Sequence, residues 1–271
     1  MNASQSSIAE VFAALRGINP SWDVQIGRPG SDDGWVAGGQ LANASSGPLH
    51  ELLVRIGARV KTTDRRTIAA LYALRFGWAS AMAIAPYVTF NCVPDVSIEN
   101  ISLKFKASTF LERMAIHEPR GAILGAGGRD MLRRELRRQL TAQATQVADA
   151  LYQWSGFAHR GTWGMLTSSW AAHLTTLSTQ GPDQRDALPE LREFFEGHDL
   201  AAAMQPRLHT VSYRHATHVY QRRASCCRFY LVPQGELCAS CPLVSQTDRL
   251  ARNLEWMQRQ IDAPVTSGGH G

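Results

Sequence analysis

Four of the chain's five cysteines are confined to sixteen residues, Cys226 and Cys227 side by side and then Cys238 and Cys241, in the order C-C-x10-C-x2-C. No other feature limits the fold so strongly. An odd cysteine total is awkward for a secreted disulfide scaffold, and clustered thiols in a reducing compartment usually hold a metal. A tetrahedral zinc site closes two C-x2-C knuckles around one ion. Adjacent cysteines suit it less well, because neighbouring side chains on extended backbone point to opposite faces. A [2Fe-2S] cluster spreads its four thiolate positions over two irons and accepts a less symmetric splay. The spacing therefore favours a [2Fe-2S] cluster and leaves zinc as the alternative. Cys92 stands apart and reads as a small buried hydrophobe rather than a ligand.

The 271 residues suffice for one large domain or two small ones, and 44% hydrophobic content with seven tryptophans predicts a buried core. The net charge of +5 makes an anionic partner reasonable without identifying one. All but three of the 28 basic residues are arginine, which suits planar recognition of carboxylates as well as it suits a biased genome. Met1 to Ala14 has neither a basic leader nor an apolar run of signal-peptide length, so a cytoplasmic location is expected. Ile68 to Phe90 is apolar, but Arg75 and Pro86 interrupt it. A membrane-spanning helix needs about 20 apolar residues, so a buried core helix is expected and no membrane span.

Hydrophobic spacing predicts helices at 7–16, 49–57, 64–85 with Asp64 as N-cap, 129–154, 163–178, 188–195 and 245–260. The glycine-rich stretch 27–47 reads as a long loop, and alternation over 96–118 suggests strands. Within 129–154, Leu132, Leu136, Leu140, Val147 and Leu151 form one stripe. Arg133, Arg134, Arg137 and Arg138 lie opposite, as a solvated face rather than a nucleic-acid surface. Two strands are expected at 208–213 and 218–232, the second containing the cysteine pair. The last helix should pack behind the cysteines through Leu250, Leu254 and Met257. The fold class is α+β: mainly helical, with a small antiparallel sheet and a C-terminal cluster-binding segment. The expected division is 1–220, 221–262 and a flexible tail, 263–271.

The segment Arg222-Arg223-Ala224-Ser225-Cys226-Cys227-Arg228-Phe229-Tyr230, the turn at Pro233 to Gly235 and the run Cys238 to Pro242 resemble the C-terminal signature of FhuF-like siderophore-iron reductases. The likeness covers about twenty residues and is specific in its vicinal pair, ten-residue spacer, C-x2-C and following proline. It implies a cytoplasmic [2Fe-2S] protein with Cys226, Cys227, Cys238 and Cys241 as ligands. Its activity would be one-electron reduction of Fe(III) in a bound ferric siderophore of hydroxamate or mixed hydroxamate–carboxylate type. Arg113, His117 and Arg120 lie in a segment similar to the family's substrate face, with ion pairing to Glu112 and Glu118 as the alternative.

Arg207, His209 and Arg214 join them as substrate candidates because they precede the cysteines closely, as do Tyr213, His215 and His218. Arg222, Arg223 and Arg228 flank the cysteines and would favour a reduced, more negative cluster. Backbone N–H groups of the Pro233–Gly235 turn are expected donors to sulfur. The glycines at 125, 127 and 128 do not form G-x-G-x-x-G, and neither a P-loop nor a nucleophile elbow is present. Hydride chemistry is therefore not expected, and electrons should come from an external donor. Two rivals remain: a zinc-stapled binding protein and an iron–sulfur sensor without reductase activity.

Overall fold

The computed structural model describes residues 7–30, 34–123, 128–179, 183–196 and 204–262. Gly125, Gly127 and the 263–271 tail lie outside these. The chain is mainly helical with small sheets, as its patterning predicts.

Helix α1 (Ile8–Ile18) opens with a capping box. Ser7 Oγ accepts from the Glu10 amide, and the Ser7 amide donates to Glu10 Oε2 at 2.6 Å. Strand β1 (Val24–Ile26) follows. The stretch expected to be one long loop then forms β2 (Trp35–Ala37) and the short α2 (Gly38–Leu41) before α3 (Gly47–Val60). Strand β2 is three residues on a sheet edge, too brief to register as alternation.

Asp64 caps α4 (Arg65–Gly77) through the Thr67 amide. A 3₁₀ turn at Trp78–Ser80 joins it to α5 (Ala81–Phe90). The run Arg65–Phe90 is long and apolar enough to cross a membrane, yet 89% of its most apolar window is buried within the fold. It is buried in the core as expected, but as two helices joined by the 3₁₀ turn rather than as one.

Strands β3 (Cys92–Pro94), β4 (Ile101–Phe105), β5 (Leu111–Ile116) and β6 (Gly121–Ile123) come next. One sheet has the order β1-β5-β4-β2, antiparallel except for β1 beside β5; β3 pairs separately with β6. The long α6 (Gly128–Ser155) buries the predicted leucine stripe. Its arginine face is not wholly solvated, which corrects the sequence reading. Arg133 is buried and pairs with Glu190 at 3.0 Å, and Glu190 also receives Arg129 and the Tyr87 hydroxyl. Glu190 belongs to α8 (Leu188–Glu196), so this ionic knot ties α8 to α5 and α6.

Helix α7 (His159–Leu177) packs along α4, α5 and α6 in the centre of the core. The hairpin β7 (Arg207–Tyr213) and β8 (Ala216–Arg222) turns at Arg214–His215, with Arg214 left-handed. The cysteine pair therefore lies beyond the second strand, not inside it. The strand ends because Arg223 leaves the ladder and donates its backbone N–H to the Ser240 carbonyl. The chain closes with α9 (Gln246–Asp262), whose buried face is Arg249, Asn253 and Met257. Leu250 is exposed and Leu254 half-buried, so the packing face is turned by one residue from the leucine pattern.

Candidate metal centre

All four clustered cysteines line one cavity of about 260 Å³ between the C-terminal segment and α4. Cys226 and Cys227 come from the loop after β8. Cys238 and Cys241 form the next turn, where the Cys241 amide donates to the Cys238 carbonyl at 2.9 Å. Leu71, Leu74, Arg75 and Trp78 supply the opposite wall, with Phe110, Phe229 and Tyr230 also lining the cavity. Trp78, Phe110, Phe229 and Tyr230 are all substantially exposed.

Two contacts hold this segment to the helical body. The Arg228 guanidinium reaches Asp64 at 3.1 Å and Thr67 Oγ1 at 3.2 Å, so the cap of α4 is also an anchor for the cysteine loop. Burial opposes ionisation of Asp64, but hydrogen bonds from Thr67 and Arg228 outweigh it and hold the carboxyl below its ordinary range. At α7, Ser225 Oγ donates to the Gly161 carbonyl at 2.7 Å, and the loop lies directly on Gly164. Any β-carbon at Gly164 would sit 2.9 Å from both Ser225 N and Ser225 Cβ. Gly235 is required for a similar reason, since a β-carbon there would overlap the Phe229 carbonyl.

The sulfurs fall into two sets. Cys226 Sγ and Cys241 Sγ are 3.6 Å apart. Cys227 and Cys238 both receive Arg223 Nη2, which is 3.6 Å from Cys227 Sγ. Arg223 is buried and has no carboxylate partner among the described residues; its Nε has no hydrogen-bond acceptor. Burial works to lower its pKa, but the negative charge available at Cys227 and Cys238 prevails and raises it. Arg75 is likewise buried without an ion pair among the described residues. It donates to Thr109 Oγ1 at 2.9 Å and lies over the Phe110 ring at 4.8 Å. Burial, with repulsion from Arg59, pushes its pKa down to about 10. Two uncompensated guanidiniums lining one cavity are costly unless an anionic group lies beside them. Four thiolates on iron provide such a charge, so the donor set and its surroundings fit an iron–sulfur cluster.

Among the described residues, no three His, Cys, Asp or Glu side chains are gathered to hold one ion. The flanking arginines do not act alike, in contrast to their expected common role. Arg223 contacts sulfur, Arg222 donates to the Pro242 carbonyl, and the Arg228 side chain turns away to Asp64. The backbone donor to sulfur is the Arg228 amide, 3.3 Å from Cys226 Sγ. The turn expected to provide it instead closes on itself, with Gly235 N donating to the Val232 carbonyl. Cys92 is buried in β3, away from this cavity, and burial pushes its thiol up to about 11.

A basic cleft of about 380 Å³ lies on the other side of the Cys241 turn, lined by Arg207, His209, Arg222 and Arg249 with no carboxylate among its walls. Arg249 donates to the carbonyls of Ala239, Cys241 and Val244 at 3.1, 2.8 and 2.7 Å, making it the strut between cleft and cysteine turn. His209 accepts from Asn253 Nδ2 at 2.9 Å, and burial together with Arg249 pushes its pKa below the ordinary value. A wider cleft of about 680 Å³ between α7, the hairpin and α9 carries Glu236 and Glu255 alongside Arg252 and Arg259.

Of the six substrate candidates, Arg207 and His209 enter the basic cleft. Arg214 pairs with Asp262 at 3.0 Å at the hairpin tip. The other three stand in or beside the four-stranded sheet and line neither cavity: Arg113 pairs with Asp23 at 2.6 Å, Arg120 with Asp95 at 2.7 Å and with Glu118, and His117 Nε2 with Ser102 Oγ at 2.9 Å. Arg75 and Arg249 are site residues that the cysteine motif does not point to. Arg75 had left a signal, a lone charge in an apolar helix; Arg249 had left none.

No curated protein matches the chain. Residues 223–243, which contain Arg223 and all four clustered cysteines, match the family described as the FhuF 2Fe-2S C-terminal domain, and the chain thus carries an FhuF-like C-terminal cysteine motif.

Proposed function

We propose that this protein is a siderophore-iron reductase of the cytoplasm, receiving electrons from an external donor. Cys226, Cys227, Cys238 and Cys241 would hold a [2Fe-2S] cluster, which supplies a one-electron couple when bound. The observation carrying this reading is the convergence of all four cysteines on one cavity beside two guanidiniums that lack carboxylates. Arg223 and Arg75 offset the thiolate charge and ease the uptake of one more negative charge.

The substrate is a ferric chelate of hydroxamate or mixed hydroxamate–carboxylate type, seated in the basic cleft. Arg207, Arg222 and Arg249 present planar donors to its oxygens, and neutral His209 adds a polar edge without more charge. Reduction of chelated Fe(III) to Fe(II) weakens its hold on hard oxygen donors. The cleft guanidiniums then stabilise the chelator oxygens as the metal leaves.

The test is absorption spectroscopy on anaerobically purified protein, reduced with dithionite and then mixed with a ferric hydroxamate and an Fe(II) trap. A red-brown chromophore should bleach, return on adding the chelate, and yield trapped Fe(II). Cys241→Ala, which offers no ligand atom, should remove colour and activity together. A colourless protein containing one zinc overturns the proposal, and so does a bleached chromophore that the chelate never restores.

A further inference from the structure

We infer that the adjacent cysteines are divided between the two irons: Cys226 joins Cys241 on one, and Cys227 joins Cys238 on the other, beside Arg223. This rests on the [2Fe-2S] reading and adds the internal order of the site, which the spacing leaves open.

The first pair is set by distance. Metal–sulfur bonds of about 2.3 Å in a tetrahedron place two sulfurs on one metal roughly 3.8 Å apart. Cys226 Sγ and Cys241 Sγ are already 3.6 Å apart, although fifteen residues separate them in sequence. Cys226 also takes the Arg228 amide at 3.3 Å, which fixes its direction. The second pair is set by a shared partner. Arg223 Nη2 bridges Cys227 and Cys238, and Cys227 is buried within the hydrophobic core while Cys226 is only half-buried. Neighbouring side chains thus diverge: Cys226 goes to the Cys241 turn and Cys227 to the guanidinium. Either other pairing, Cys226 with Cys227 or Cys226 with Cys238, would have to separate Cys226 Sγ from Cys241 Sγ.

The asymmetry has a redox consequence. A full positive charge touches the sulfurs of the Cys227/Cys238 pair, whereas the Cys226/Cys241 sulfurs receive a neutral amide and the Arg249 charge reaches only the Cys241 carbonyl. Charge-assisted contacts are the stronger. With the cluster bound, one electron from dithionite, or from the external one-electron donor, would reside on the iron held by Cys227 and Cys238 as Fe(II), and the iron held by Cys226 and Cys241 would stay ferric.

Mössbauer spectroscopy of ⁵⁷Fe-labelled, dithionite-reduced protein resolves the ferrous and ferric irons as separate doublets. Cys227→Ser and Cys238→Ser should shift the ferrous doublet alone, and Cys226→Ser and Cys241→Ser the ferric one alone. Where a serine variant does not retain iron, the aspartate variant at that position reaches the metal with a longer side chain and is read in the same way. Cys226 and Cys227 variants that shift the same doublet overturn the pairing. The same pairing with the ferrous doublet assigned to Cys226 and Cys241 overturns the role of Arg223. If the unsubstituted protein lacks a two-iron spectrum altogether, the underlying cluster reading fails instead.

Discussion

Gly164→Ala separates the packing of the cysteine loop from every other property of α7. In an exposed helix interior, replacing glycine by alanine gains about 1 kcal/mol. At Gly164 the new methyl would lie 2.9 Å from Ser225 N and Cβ, where ordinary carbon contacts begin near 3.5 Å. The nearest atoms include backbone, so a side-chain rotation cannot relieve the clash. Overpacking of this kind costs about 1–3 kcal/mol. Displacement of Ser225 also breaks its bond to the Gly161 carbonyl, which contributes about 1 kcal/mol. The net expectation is a loss of about 1–3 kcal/mol and a shift of the adjacent Cys226. Denaturant midpoints give the stability; iron and acid-labile sulfide per chain, after identical reconstitution, give the state of the site. Gly17→Ala in α1, where a β-carbon meets nothing within 4 Å, is the control and should be neutral or stabilising. A Gly164→Ala protein that gains stability like the control and binds full iron would refute the packing of Ser225 against α7.

Three further outcomes follow from the same geometry. Glu190→Gln should cost about 2 kcal/mol, because it removes one of three carboxylates from buried Arg133 and weakens the shared acceptor of Arg129 and Tyr87; an unchanged denaturation midpoint contradicts this. Burial opposes ionisation of Glu190, yet Arg133, Tyr87 and Arg129 together hold its carboxyl below the ordinary range. Its contribution is therefore present above the unfolded carboxyl value of about 4.3 and lost as pH falls through the lower folded value. The melting temperature of the parent should fall more steeply than that of the glutamine variant across that acid window. Asp64→Ala should lower stability by about 1 kcal/mol through the lost cap and release iron faster to a chelator, since Arg228 loses its anchor; equal release rates count against that link. Arg207→Ala should raise KM for a carboxylate-bearing ferric chelate by about tenfold, in line with loss of one charged hydrogen bond, while leaving the chromophore unaltered. An unchanged KM would move the substrate out of the basic cleft.

The parts of the fold that repeat were legible in the sequence. The leucine stripe of α6 and the Asp64 cap of α4 each rest on one local rule, periodicity or capping, that tertiary contacts only reinforce. Three errors share a cause: long-range partners decided the outcome. Arg228 to Val232 has the aromatic, branched composition of a strand, but Arg223 pairs with Ser240 and Arg228 adopts a left-handed turn. Leu250 matches a hydrophobic pattern, yet Arg249 takes the buried position because three carbonyls of the cysteine turn satisfy its guanidinium. Arg133 reads as surface until Glu190, more than fifty residues away, is seen beneath it. At the site, cysteine spacing alone identified the cluster of thiols, because it is local. Arg75 and Gly164 could not be linked to it, since α4 and α7 reach that cavity only through folding.

The cysteine segment between Arg223 and Leu243 contains no regular element beyond the three-residue 3₁₀ turn Phe229–Leu231. Its shape is borrowed: Asp64 orients one end, the bare backbone of α7 at Gly164 receives Ser225, and Arg249 braces the far turn. For protein engineers, it is therefore a poor cassette. Grafted as a peptide onto another scaffold, the same four cysteines would carry their spacing but not their directions. A successful transplant has to bring two helix surfaces with it, one offering a carboxylate at its N-cap and the other a glycine at the point of contact.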